Sequence, residues 1–138
     1  MTFPDLSTIF TRESIDFAML VFLWLVQIII YPSFKKISKE SIFSWHKSYQ
    51  TRVSIIMSPI MLLQMYQITF DVFHTISSIT IIRFLLLLVS WLLTIAVSVP
   101  LHRKIENNKD LEYSIDRLIK TNLPRTFTWT TIYCTHFL

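Results

Sequence analysis

The sequence contains no glycine and a single cysteine, Cys134. Without glycine no residue reaches positive φ cheaply, so tight turns fall to Asn, Asp, Ser or Lys. Glycine-dependent phosphate loops and collagen-like repeats are excluded. One cysteine rules out an intrachain disulfide and leaves the redox compartment unspecified. Charge is also scarce. Of 138 residues, 16% are charged and 52% hydrophobic, whereas a soluble domain carries about a quarter charged residues. No nucleic-acid-binding motif is present. The basic residues flank apolar blocks, which points to a lipid bilayer as partner and not to nucleic acid.

Those blocks predict an all-α polytopic membrane protein. A single domain, 1–138, forms a four-transmembrane-helix bundle with spans at about 15–31, 48–70, 79–100 and 122–138. The first block has the length of a short span. Pro32 and Ser33 close it, because proline continues a helix poorly. It does not read as a cleaved signal peptide, since Asp5, Glu13 and Asp16 stand where a basic region belongs. The second block contains Pro59, which is expected to bend the helix. The third is the most apolar, uncharged from Phe84 to Val99, with Pro100 at its end. The fourth holds Arg125, His136 and several threonines, and Pro124 suits its first helical turn. Before it, Leu111, Ile115, Leu118 and Ile119 recur at helical spacing, which predicts either a short interfacial helix leading into the fourth span or an extension of that span itself.

Charge asymmetry sets the orientation. Eleven of the thirteen Lys and Arg residues lie in the segments 33–52 and 101–125; the other two are Arg12 and Arg83. Both basic loops are expected in the cytoplasm, which makes this a multi-pass inner-membrane protein with both termini on the non-cytoplasmic side.

Polar residues inside spans are costly, so their register is informative. Trp24, Gln27 and Tyr31 share a face of the first span. His46 and Gln64 stand five turns apart on the second helix, with Tyr49 beside His46. Trp91, Thr94, Ser98 and His102 mark the third span, and Asn122, Arg125 and Trp129 the fourth. These stripes converge near the cytoplasmic helix ends. They predict a pocket with His46, His102 and Arg125 as catalytic groups and Gln27, Tyr31, Tyr49, Asn122 and Trp129 as ligand-binding groups. His46 and His102 are the candidate ligands for a metal or a haem iron. Trp, Tyr, His and Arg also serve as plain interfacial anchors. Asp16, Asp71, His74 and Arg83 read as span-end residues on the outer side.

Several motifs carry a resemblance: Gln27–Tyr31–Pro32; His46 with Tyr49; Pro100 with His102; and Thr121, Asn122, Arg125, Thr126 and Trp129. They cover most of the chain and resemble a family of small four-span bacterial membrane proteins, distantly similar to the anthrone-oxygenase-like group. The resemblance implies an oxygenase-like chemistry centred on His46, His102 and Arg125. It also implies an acid where this chain has Gln64, a departure from the pattern. Three functions follow as expectations. The first is a membrane-embedded ligand- or cofactor-binding protein, or an oxidoreductase. The second is a non-catalytic assembly factor or complex subunit, with a homo-oligomer or membrane partner. The third is a small transporter.

Overall fold

The computed structural model describes residues 10–138, all helix, turn and connecting chain. The expectation placed on Asp5 lies outside the described residues. Four rods make up the fold. Rod α1 runs Arg12–Lys36, α2 Ile42–His74, α3 Ser78–Glu106 and α4 Leu111–Cys134, with a 3₁₀ turn at Thr135–Phe137. The first three are long and apolar enough to cross a membrane. Their outer faces carry bare aliphatic side chains: Ile28, Ile55 and Leu92 are each more than 60% exposed. Such a surface suits lipid and not water.

Local chemistry sets the rod ends. The Thr11 hydroxyl accepts from the Ser14 N–H and opens α1. A reciprocal Ser77–Thr80 capping box opens α3. Between α3 and α4 the chain reverses through Asn108 and Asp110 at φ of 52° and 48°. Asn and Asp here supply the left-handed conformations that a glycine-free sequence must find elsewhere.

Three expectations about proline are corrected. Pro32 and Pro100 do not end their helices. Each is preceded by a five-residue π-helical turn, Val26–Ile30 and Thr94–Ser98, after which helix resumes. The Tyr31 N–H bonds the Val26 carbonyl, and the Val99 N–H bonds the Thr94 carbonyl. An α-helix would need Pro32 and Pro100 to donate to Ile28 and Ala96, and both acceptors fall within the wide turns. The π turn therefore sits where proline leaves the ladder incomplete. Pro124 is not in a first turn but inside α4. The expected separate interfacial helix is absent among the described residues, because Leu111–Cys134 is one rod. Its amphipathic face is spent inward: Ile115 and Leu118 pack with Val26, Tyr31, Phe34, Leu101 and Ile105. A second core joins Met19, Leu23, Met57, Ile68, Leu87, Trp129 and Ile132 nearer the other end.

Candidate functional site

Between the two cores lies a cavity of about 440 Å³, within the range of small-molecule sites. All four rods contribute to it. Phe22, Val26 and Tyr31 come from α1; Tyr49, Val53 and Met57 from α2; Trp91, Thr94, Ser98 and His102 from α3; and Arg125 from α4. Both π turns supply wall residues, as such turns do at many functional sites.

At one end the polar groups form a chain. The Tyr31 hydroxyl lies 3.0 Å from His102 Nε2, and His102 Nδ1 lies 2.9 Å from His46 Nε2. His46 Nδ1 points toward Glu106 Oε1 at 3.8 Å, beyond a hydrogen bond but within ion-pair reach. One neutral tautomer set serves both hydrogen bonds of the line. Tyr31 O–H donates to His102 Nε2, His102 Nδ1–H donates to His46 Nε2, and His46 Nδ1–H faces Glu106. His46 is fully buried and Tyr31 nearly so, whereas Glu106 is exposed. The line therefore joins the cavity wall to the surface. Phe34 packs edge-on against His46, Tyr49 lies tilted beside His46, and Tyr49 stacks on Trp45.

Arg125 holds the same end of the cavity. It is 8% exposed, donates from Nη1 to Ser98 Oγ at 3.0 Å and lies over the Trp129 ring. Its Nε has no partner, nor does Trp91 Nε1. Among the described residues no carboxylate forms an ion pair with it.

The predicted residues thus separate into two groups. His102, Tyr31, Tyr49 and Arg125 line the cavity, with His46 directly behind His102. Gln27, Asn122 and Trp129 do not line it. Asn122 Nδ2 donates to Gln27 Oε1, Gln27 Nε2 donates to the Ile119 carbonyl, and Trp129 Nε1 donates to Gln64 Oε1. These three tie α4 to α1 and α2. The histidines spend their facing nitrogens on each other, and Tyr31 takes the next. Of the four ring nitrogens only His46 Nδ1 is left without a hydrogen bond, and among the described residues no group of three His, Cys, Asp or Glu could hold a metal.

The outer polar set is also corrected. Asp16 and Arg83 are not span-end residues; they are buried and paired at 2.5 Å. Asp16 also receives Gln64 Nε2 at 2.6 Å and meets His136 Nε2 at 2.7 Å. Arg83 donates further to the Ile132 carbonyl and Thr135 Oγ1. Asp71 pairs instead with Arg12 at the edge, and His74 stacks on Phe70. Glu106 was missed because it sits in a run of charged residues where nothing in the sequence distinguishes it. Comparison with family models, curated proteins and solved structures finds no match.

Proposed function

We propose that this chain is an integral inner-membrane protein of four spans that binds a small ligand in the central cavity and exchanges a proton with it. Arg125 holds a negatively charged oxygen of the ligand. Tyr31, His102 and His46 carry the proton between the cavity and Glu106. Such a device serves acid–base or oxidoreductase chemistry, in keeping with the oxygenase-like resemblance. The observation that carries this reading is the line Tyr31–His102–His46, with contacts of 3.0 and 2.9 Å and a buried, acid-free Arg125 at the same wall. Imidazoles that only anchored a span end would face headgroups and water instead of each other.

The line has two polarities. If every proton moves one step, the donors become acceptors and one proton has crossed the line without any ring carrying lasting charge. Nitrogen NMR of ¹⁵N-histidine-labelled protein in bilayers tests this. His102 should carry its proton on Nδ1 and accept at Nε2, and Tyr31→Phe should shift the Nε2 signal selectively. Rings that behave as independent, water-exposed imidazoles, unaffected by Tyr31→Phe, overturn the relay and favour the assembly-subunit reading.

A further inference from the structure

The molecule contains two buried arginines and treats them differently. Arg83 is neutralised by Asp16 at 2.5 Å and has three further hydrogen-bond contacts, with the Ile132 carbonyl, Thr135 Oγ1 and His136 Nε2. Arg125 is equally buried, has no carboxylate partner among the described residues, and leaves its Nε unused. A buried cation without a counter-ion is costly in a bilayer-spanning bundle. The Nε edge of a guanidinium is also the edge that fits a carboxylate as a fork. A second unpaired donor, Trp91 Nε1, lines the same cavity.

The cavity mouth supplies the other half of the argument. Its exposed rim is Ser54, Ser58 and Leu62 on α2 and Ile95 and Val99 on α3. Ser58 stands midway along α2. Rod α2 packs against the α-helical parts of α3 on either side of Thr94–Ser98 and only weakly against that π turn itself. The opening is therefore lateral, between two apolar rods at mid-height, where a spanning helix meets lipid and not water. Met57 and Met61 line the passage inward, flexible side chains that adapt to an aliphatic body.

We infer that the cavity takes a long-chain carboxylic acid from within the bilayer, through the α2–α3 mouth, and holds its carboxylate on Arg125 with its chain toward Met57, Met61 and Leu62. This rests on the proposed function and names its ligand class. Charge decides the head group: a neutral carbonyl leaves the Arg125 charge uncompensated, and a carboxylate offsets it. The proton balance closes as well. The acid crosses lipid as RCOOH, its proton leaves through Tyr31, His102 and His46 toward Glu106, and RCOO⁻ remains. No bond other than O–H breaks.

The test uses the full chain in zwitterionic vesicles, with 9,10-dibromostearic acid as a quencher of tryptophan fluorescence. Saturable quenching is expected, reduced by Trp91→Phe. The methyl ester should bind about tenfold more weakly or worse, since a charge-assisted hydrogen bond is lost. Arg125→Gln should show the same loss for the acid and little for the ester. Because Arg125→Gln removes a buried anchor, Ile95→Phe, which adds bulk but no tryptophan, is the companion variant. It fills the mouth from an exposed position and should slow quenching while leaving helix content unchanged. Equal affinity for acid and ester, or acetate competing as well as the long-chain acid, overturns this inference and leaves the relay standing. Normal acid binding combined with an NMR signal unmoved by Tyr31→Phe overturns the relay instead.

Discussion

At the residue scale, polarity against an apolar background made half of the site readable. Tyr31 stands out at the end of an aliphatic run, and His46, His102 and Arg125 stand where the polar loops meet the apolar blocks; helical register then brings them to one end of the bundle. What register could not supply was rotation. Gln27, Asn122 and Trp129 belong to the same stripes, yet they face neighbouring rods: Asn122 donates to Gln27, Gln27 to the Ile119 carbonyl and Trp129 to Gln64. Asp16 and Arg83 were misread for a related reason. The apolar block starts near Ile15, but the helix starts at Arg12, which puts Asp16 in the second turn and on the inner face. Their pairing leads to a definite expectation. Asp16→Ala strands the Arg83 charge and should cost about 3–5 kcal/mol, whereas Asp16→Leu with Arg83→Leu should be close to neutral or stabilising. Thermal unfolding of the three proteins in one detergent decides it. A single variant no worse than the double would show that the pair carries no buried charge.

At the element scale, the prolines were visible and their consequence was not. Proline two residues beyond a wide turn, at Pro32 and again at Pro100, is the signal. A reading that treats proline as a terminator stops the helix at that point. That reading leaves out about one turn of rod after Pro32 and nearly two after Pro100, and Phe34, Leu101, His102 and Glu106 all sit on the part left out. A π turn amounts to one extra residue in an α-helix, so it can be excised. Deleting Ile29, exposed in the Val26–Ile30 turn, should restore α-helical register on both sides. The expected result is a lower thermal midpoint, because Pro32 would then stand inside a regular α-helix, without its hydrogen bond and against the carbonyl four residues back, a cost of about 3 kcal/mol. The cavity wall loses its wide turn, so quenching by the brominated acid should fall by about tenfold or more, the loss of a strong polar contact. Unchanged binding would mean that the turn only accommodates Pro32 and plays no part in shaping the site.

At the scale of the whole molecule, both basic loops lie at one end of the bundle. Lys39 pairs with Glu112 at 3.1 Å, and Lys35 pairs with Asp116. The hydrogen bond from Lys35, and then its charge, hold the Asp116 carboxyl below its ordinary value of 3.8. The sign follows directly. With the folded value depressed, this tie contributes above the ordinary carboxylate range and is lost only as pH falls through the depressed value, so the loops stay joined across neutral pH. Both partners are half exposed, so Asp116→Asn should scarcely move the thermal midpoint. The opposite end carries the Arg12–Asp71 pair, the Thr75–Ser77 reversal and the C-terminal turn. Which end faces the cytoplasm is then a matter of charge counting, and eleven basic residues against two predict that the Lys39 and Asn108 end faces inward. In a Cys134→Ser background, Lys39→Cys and Asn108→Cys should resist a membrane-impermeant maleimide in intact cells and react once the membrane is opened. Thr75→Cys should react in intact cells. The reverse pattern inverts the topology and would put the Glu106 end of the proton line outside. Reaction of Asn108→Cys but not Lys39→Cys from outside would contradict the shared end itself, since the Lys39–Glu112 pair could not then form.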